Sequence, residues 1–478
     1  MDFQLAIAGL RPLTRQIYDQ IRSAVLDGRL RRGERLPATR QLANQLNISR
    51  KTVVLAYDML LAEGIIVTKS GSGSYVEDLG IATRKIPPLV SPIAVAPYWQ
   101  KLPSLPAFPR QQVAFDFGIG VPELAHFPWD LWRSILRTHS RLSHQSSQSY
   151  IQPAGYSPLR DSIASYVGFS RAVRCAADDV IVTNGAQQAF HLIAQVLVQP
   201  GTVVAMEHPG YSMARWVFLS RGAKVVDIPV DREGLMVTRL PRNAKLVFTT
   251  PSHQFPTGVV MSYPRRVSLL EWARSRGAAI VEDDYDSEFR FEGRPLEALQ
   301  SMDPSTVIYV GTFSKSLFPG LRVGFTVSPQ PLRSALVSAK HLTDWHSPLL
   351  AQAAVATFIG NGHFARHIRK VRRLYSDRRN QLIAEIQRSF SDWLAILPSG
   401  TGLHMAATLK QNVTADAVAT AALAAGIRVF PIPDGIAFGI GTIEASQIRG
   451  AMEKLRVVFG ELRRETYRSR RASSPRKQ

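Results

Sequence analysis

A lysine follows a strongly apolar segment late in the chain, and its neighbours have the chemistry of a covalent cofactor site. The sequence VIYVGTF at 307–313 predicts a buried β-strand, and Ser314 and Lys315 come directly after it. An ammonium at the carboxyl end of a buried strand is costly, because desolvation disfavours the charged form and lowers its pKa. A lysine with a lowered pKa is a good nucleophile toward an aldehyde, so Schiff-base chemistry is its predicted use. Thr312, Ser314 and Arg322 offer donors for a phosphate nearby.

The residues from Ser314 to Gly324 resemble a known motif. Their pattern, Ser-Lys-x-x-x-Pro-Gly-x-Arg-x-Gly, is similar to the cofactor-lysine motif of the fold-type I pyridoxal-phosphate enzymes, the aspartate aminotransferase family. The resemblance implies that pyridoxal 5′-phosphate is the cofactor and that Lys315 is the catalytic lysine that holds it.

Five short apolar segments, each followed by polar residues, predict strands of one α/β domain that begins at about Val113. The segments are 180–182, 203–206, 246–248, 279–281 and the strand before Lys315. Open α/β sheets bind ligands beyond the carboxyl ends of their strands. One such polar cluster alone would be an ordinary loop, but five in register predict a single site.

Individual residues of these clusters have predicted roles at the cofactor. Gly185 and Ala186 open a helix, whose free N–H groups and dipole suit a phosphate. Asp283 is placed to pair with the pyridine nitrogen and keep it protonated. Tyr285 would hydrogen-bond the phenolic oxygen of the ring, and Tyr211 would stack on its face.

The same resemblance implies that Tyr150 reaches a phosphate in the partner subunit, and therefore a head-to-tail homodimer with shared sites. The residues expected to bind the cofactor are Lys315, Asp283, Tyr285, Gly185, Ala186, Gln187, Tyr211, Thr312, Ser314, Arg322 and Tyr150. No metal site is predicted.

The residues up to about Val76 predict a winged helix-turn-helix. Apolar residues at helical spacing follow Pro12, a short helix covers 38–46, and Ser49 is a good N-cap for a third helix. The apolar stripe of this third helix is Val53, Ala56, Tyr57, Leu60 and Leu61. Segments 65–68 and 74–76 flank a small cationic tip, which predicts a hairpin.

Two cations in the first turn of the third helix indicate a polyanionic partner. Arg50 and Lys51 lie where the helix macrodipole disfavours positive charge, and the amino end of a recognition helix is where side chains reach base edges. A solvated surface is the alternative. Residues 11–64 resemble the GntR-type winged-helix family. The resemblance implies contacts with double-stranded DNA from Arg40, Ser49, Arg50, Lys51 and Thr52, with Ser70 and Gly71 at the wing.

Bulk properties agree with a cytoplasmic protein that associates with the nucleoid when it is bound to DNA. A formal charge of +21 indicates attraction to a polyanion. The single cysteine, Cys175, excludes an internal disulfide and fits a reducing compartment. We find neither a signal-peptide layout nor an apolar segment long enough to cross a bilayer, so no membrane partner is predicted.

The predicted fold is an α+β winged helix-turn-helix followed by an α/β pyridoxal-phosphate-dependent transferase domain of fold type I with a small C-terminal α/β subdomain. The predicted segments are the winged helix at 1–79, a proline-rich linker at 80–112, the aminotransferase-like domain at 113–462, and a basic disordered tail at 463–478. The end of this tail lacks apolar residues, which predicts disorder.

Two departures from the aminotransferase pattern bear on function. Phe255 stands where the family often has asparagine, and the sequence HQFPTG at 253–258 is typical of the MocR/GabR regulators. Ile436 stands where aminotransferases have the arginine that binds the substrate carboxylate, and isoleucine cannot form that bidentate pair. Arg215 or Arg428 would compensate at an effector site.

From end to end the chain resembles the MocR/GabR transcriptional regulators, which implies a pyridoxal-phosphate-dependent, DNA-binding regulator of bacterial type. Its small-molecule effector would be an amine, an amino acid or the cofactor itself. Two alternatives stay open: an active aminotransferase that carries a DNA-binding domain, and a regulator that has lost the cofactor.

Overall fold

The structure, a computed structural model, describes residues 5, 12–69, 71–78, 94–95, 97–100, 112–146, 150–293, 297–411 and 413–473. The chain forms two compact units, Met1–Gln100 and Lys101–Gln478. Most of the predicted linker and the predicted wing residue Ser70 lie outside the described residues.

The first unit is a winged helix-turn-helix, as the sequence predicts. Its elements are α1 (Leu13–Leu26), α2 (Thr39–Gln45), α3 (Arg50–Ala62), β1 (Ile66–Lys69), β2 (Gly73–Val76) and α4 (Pro97–Gln100). The two strands form an antiparallel hairpin in which Ile66 pairs with Val76. Ile17 and Ile21 of α1 pack against Val53 and Leu60 of α3 in one core.

One residue of the predicted apolar stripe of α3 is not in this core. Leu61 is 38% exposed, whereas Leu60 is fully buried. Successive helical residues point about 100° apart, and because Leu60 faces the core, Leu61 faces away from it.

The second unit contains the α/β domain. Its elements are β3 (Phe115–Asp116), α5 (Trp129–Ser146), α6 (Ser157–Arg171), β4 (Val180–Thr183), α7 (Ala186–Leu197), β5 (Val203–His208), α8 (Ser212–Ser220), β6 (Lys224–Asp231), β7 (Gly234–Leu235), β8 (Leu246–Thr249), α9 (Tyr263–Arg276), β9 (Ala279–Asp284), α10 (Leu299–Met302), β10 (Val307–Thr312), β11 (Gly324–Val327), α11 (Gln330–Asp344), α12 (Leu349–Gly360), α13 (His363–Ser389), β12 (Leu394–Ile396), β13 (His404–Leu409), α14 (Ala415–Ala424), β14 (Ile427–Arg428), β15 (Phe430–Ile432), β16 (Gly435–Gly439) and α15 (Ala445–Ser473).

An eight-stranded mixed sheet organises this unit, in the order β4-β11-β10-β9-β8-β5-β6-β7. The strands from β10 across to β6 are parallel, and β11 is antiparallel to both of its neighbours. The five predicted strands are β4, β5, β8, β9 and β10, and all five run in the same direction. Their polar carboxyl ends therefore meet at one edge, as expected.

Apolar residues on both faces of the sheet explain why these strands are continuous apolar segments. Ile308 and Val310 of β10 pack in a cluster with α7, α8 and α11. Val307 of the same strand packs on the other face with α9. A smaller four-stranded sheet, β12-β13-β16-β15, packs with α13, α14 and α15.

The prediction of a disordered tail from residue 463 is wrong for most of that segment. Helix α15 continues through Ser473, and only 474–478 lie outside the described residues. Arginine and glutamate are good helix formers, so a basic segment that follows a helix packed on the core can extend it.

Candidate functional site

Lys315 follows the fully buried strand β10 and points to a glycine from a distant part of the chain. Its Nζ donates a hydrogen bond to the carbonyl oxygen of Gly120 at 2.6 Å. Gly120 has φ +75°, and a Cβ at this position would lie 2.9 Å from Lys315 Nζ. The close approach of the amine therefore requires glycine.

Asp283 lies on β9, next to β10, and its carboxylate faces the same cavity as Lys315. The side chain is buried, and among the residues that the structure describes its Oδ1 has no hydrogen-bond partner. Burial raises the pKa of Asp283 well above its usual range, and the charge of Asp284 adds to this, while the charge of Lys315 opposes it. An acceptor that is buried without a donor is costly, and a protonated pyridine nitrogen would satisfy it.

Backbone N–H groups and an arginine lie at another edge of the cavity. Gly185 has φ +77° and precedes α7, whose first turn presents free N–H groups. Arg322 donates from Nη2 to the carbonyl oxygen of Asn184 at 2.9 Å, and a Cβ on Gly185 would lie 2.9 Å from the same nitrogen. This cationic, donor-rich edge suits a phosphate.

Aromatic side chains form the remaining walls. Tyr211 contacts Phe190 and Phe255 edge to face, with ring centroids 6.3 and 5.6 Å apart. The cavity measures about 170 Å³. Its lining residues are Gly120, Ala186, Gln187, Phe190, Tyr211, Phe255, Asp283, Tyr285, Thr312, Ser314, Lys315, Pro319, Arg322 and His404.

A buried polar cluster lies behind Tyr285. The Tyr285 hydroxyl is 2.9 Å from both the carbonyl oxygen and Nδ1 of His253, and the same Nδ1 is 3.0 Å from Asp286. His404, which lines the cavity, donates from Nε2 to the carbonyl oxygen of Pro256 at 3.0 Å. Burial lowers the pKa of His404 to about 3, so its ring is neutral and Nδ1 is an acceptor.

The structure brings most of the predicted cofactor residues together, and Gly185 adjoins the cavity at Ala186 without lining it. Three other predicted residues stand apart. Tyr150 is 72% exposed and lies against Trp345, outside the cavity. The two predicted effector arginines, Arg215 and Arg428, do not line the cavity. Arg215 pairs with Asp227, and Arg428 pairs with Asp116 at 2.5 Å.

Five lining residues were not among the predicted site residues: Gly120, Phe190, Phe255, Pro319 and His404. Phe255 and Pro319 were named only as parts of sequence motifs. Gly120 and Gly118 form a glycine pair just before a proline, which is a signal for close backbone approach. His404 gave no comparable signal, because it reaches the cavity only through the packing of β13.

In the first unit, most of the predicted DNA-binding residues that the structure describes lie on the exposed surface. Arg40 of α2 and Arg50 and Lys51 of α3 are exposed, and Thr52 is half-buried. Ser49 is exposed at the N-cap position of α3, but its side chain makes no capping hydrogen bond. Gly71 is exposed in the hairpin turn.

Both units match known sequence families. Residues 13–76 match the family "Bacterial regulatory proteins, gntR family", and residues 114–437, more than half of the chain, match "Aminotransferase class I and II". The chain is 38% identical over 462 residues to the "Probable rhizopine catabolism regulatory protein MocR" of Rhizobium meliloti, with 94% of each chain covered. The chain belongs to the MocR family of transcriptional regulators.

Other MocR-type relatives and solved aminotransferases agree with this assignment. The "HTH-type pyridoxine biosynthesis transcriptional regulator PdxR" of Corynebacterium glutamicum is 29% identical, with 92% of this chain and 94% of that protein covered. The kynurenine aminotransferase of Pyrococcus horikoshii is similar with a TM-score of 0.68 and 25% identity, covering 73% of this chain and 91% of that one.

Membership of the MocR family confirms the predicted function class: a transcriptional regulator with a GntR-type DNA-binding domain and an aminotransferase-like domain. The aminotransferase fold implies dependence on pyridoxal phosphate. In the part of the chain that the structure describes, no helix combines the length and apolarity needed to span a membrane.

Proposed function

We propose that this regulator holds pyridoxal 5′-phosphate covalently at Lys315 and uses the occupied site to control operator binding. One observation carries the proposal: Lys315 shares a cavity with a buried carboxylate oxygen of Asp283 that has no hydrogen-bond partner in the described part of the chain. When bound, the cofactor supplies an aldehyde for the lysine amine and a protonated ring that withdraws electrons.

Each residue of the cavity has a task in this proposal. The Gly120 carbonyl holds the Lys315 amine in place, and Asp283 keeps the proton on the ring nitrogen. Arg322 and the first turn of α7, from Gly185 through Gln187, bind the phosphate with help from Thr312 and Ser314. Tyr211 stacks on the ring, and the Tyr285 hydroxyl would turn from the His253 carbonyl, to which it donates at 2.9 Å, and donate to the phenolic oxygen of the ring.

The ligand-facing side of the cavity favours an effector amine without a strongly held carboxylate. Arg215 and Arg428 would have to leave Asp227 and Asp116 before they could bind one. Neutral His404 instead presents an acceptor, which suits a hydroxyl or amine donor. The relatives are named for rhizopine catabolism and for pyridoxine biosynthesis, so an amine effector and the cofactor itself are both consistent with the family.

We further propose a head-to-tail homodimer in which Tyr150 reaches the partner's phosphate. Tyr150 and Trp345 are both large, exposed aromatic residues, and their ring centroids are 4.2 Å apart. Such exposed aromatic pairs are typical of interfaces. Effector binding would then change the spacing of the two DNA-binding domains, which requires the effector to bind two conformations unequally.

Footprinting on genomic DNA, with and without pyridoxal phosphate, tests the regulatory proposal. We expect protected operators whose occupancy changes with the cofactor or with an amine. Identical footprints under all conditions would contradict it.

The cavity that retains Lys315 also supports a second candidate, an active aminotransferase with a DNA-binding domain. Sustained transfer of an amino group from a donor to a keto acid by the purified protein would favour this alternative. A single turnover or none would favour the regulator.

A further inference from the structure

An ion pair between a buried lysine and a partly exposed aspartate lies outside the cavity, near its proposed phosphate edge. Lys340 of α11 has no exposed surface, and its Nζ donates to the two carboxylate oxygens of Asp344 at 2.5 and 2.7 Å. Ser347 Oγ lies 3.2 Å from the same Nζ. Fully buried lysines are rare unless they are paired. Asp344 is therefore the group that lets this ammonium remain charged.

The same carboxylate binds the loop before α7. Asp344 Oδ2 accepts hydrogen bonds from Asn184 Nδ2 at 2.7 Å and from Gln188 Nε2 at 2.8 Å. Gln188 Oε1 in turn accepts the backbone N–H of Asn184 at 2.8 Å. The Asn184 carbonyl is the group that accepts from Arg322. One carboxylate thus fixes the loop that leads into Gly185.

The backbone immediately after Asp344 is strained. Trp345 has φ +62° and ψ −63°, and the N–H of His346 donates to the Asp344 carbonyl at 2.7 Å, which closes a γ-turn. γ-Turns with positive φ are rare, and strain of this kind persists only where surrounding contacts hold it. Two interactions supply those contacts: the Lys340–Asp344 pair, and the hydrogen bond that Gln352 Nε2 donates to the Ser347 carbonyl at 2.7 Å.

We propose that Asp344 is a positioning residue that preorganises the phosphate-binding loop through Asn184 and Gln188, with Lys340 as its buried counterion. This inference rests on the proposed function, because it assumes that pyridoxal phosphate occupies the cavity. Asp344 does not line the cavity. Its effect therefore acts on the phosphate through the loop and leaves the rest of the cofactor unaffected.

Two ligands that differ only in the phosphate separate a positioning role from general stability. The variants are Asp344→Asn, which removes the negative charge and one acceptor oxygen of this contact, and Asn184→Ala, which removes the donor on its other side. We expect each to weaken pyridoxal phosphate binding by about 10-fold to 100-fold, the range for hydrogen bonds to a charged group. The affinity for pyridoxal, which has the same ring and aldehyde without phosphate, should change by less than about twofold. Both affinities are measured by absorbance titration.

Asp303→Asn is the matched control. Asp303 is a buried aspartate that pairs with Arg274 at 2.7 Å, and neither residue lines the cavity. The control is expected to lower stability and to leave the affinities for both ligands unchanged.

If Asp344→Asn lowers the affinities for both ligands equally, Asp344 has a structural role and the inference is overturned. Unchanged affinity for pyridoxal phosphate would also overturn it. If Asp344→Asn does not fold, Asn184→Ala decides by the same criterion. A wild-type protein that binds neither ligand would overturn the proposed function as well. If the wild type binds both ligands and the variants bind them with the same affinities, only the positioning role of Asp344 is refuted.

Discussion

Replacing Asp283 by asparagine is predicted to weaken cofactor binding without making the cofactor-free protein less stable. The carboxylate oxygen Oδ1 is buried and has no hydrogen-bond partner among the described residues, so its proposed bond to the ring nitrogen is a charge-assisted bond made only in the complex. Such bonds contribute about 1.5–3 kcal/mol, which corresponds to a loss of about 10-fold to 100-fold in affinity.

The stability of the cofactor-free variant follows from the pKa of Asp283. Burial, and then the charge of Asp284, raises this pKa in the folded protein. The folded state therefore holds the proton more tightly than the unfolded state, and the carboxyl destabilises the fold increasingly as pH rises from the unfolded pKa through the folded pKa. Asparagine lacks this ionisation. The cofactor-free variant should melt at the wild-type temperature or above it at neutral pH, and the difference should shrink in acid.

Absorbance titration measures the affinity, and thermal denaturation of both cofactor-free proteins at acidic and neutral pH measures the stability. Glu282→Gln is the control, because Glu282 is the preceding residue of β9, is also buried, and accepts the backbone N–H groups of Leu299 and Gln300 at 2.8 and 2.9 Å. It should lower the melting temperature and leave cofactor affinity unchanged. An Asp283→Asn protein with wild-type affinity and a lower melting temperature would refute the reasoning.

Three further predictions concern other parts of the chain. Gly120→Ala should lower the melting temperature, because alanine at this positive φ costs about 1–2 kcal/mol. It should also slow borohydride trapping of the cofactor, because the new Cβ would lie 2.9 Å from Lys315 Nζ. Unchanged trapping would contradict the close approach. Arg50→Ala/Lys51→Ala should weaken operator binding and reduce the salt slope by about one for each DNA phosphate that the variant no longer neutralises, measured by fluorescence anisotropy; an unchanged slope would exclude phosphate binding by these two side chains. Cys175 should react slowly with Ellman's reagent until the protein unfolds, because burial raises the pKa of its thiol to about 11; fast labelling of the native protein would contradict this.

Much of the cofactor site could be predicted from the sequence, because its residues follow strands whose apolar character is local. Asp283 lies near the end of one continuous buried segment, and Lys315 follows another. Because the two segments form neighbouring parallel strands, these residues come together without further information. The winged helix was predictable for a similar reason, since its helices show clear apolar periodicity.

The rest depends on contacts between residues far apart in sequence. Arg428 looked available for an effector, but its partner Asp116 is 312 positions away. Lys340 and Asp344 have the spacing of an ordinary exposed helical ion pair, yet Lys340 is fully buried. His404 reaches the cavity through the register of β13 with β16, which no local pattern predicts.

The most direct test of the central claim is borohydride reduction of the purified protein with pyridoxal phosphate, followed by peptide mass spectrometry and a visible absorbance spectrum. We expect the wild type to be coloured and to carry reduced cofactor on Lys315, and Lys315→Ala to be colourless with no attached cofactor. A wild-type protein without attached cofactor, or a Lys315→Ala variant that keeps the same absorbance, would contradict the proposal.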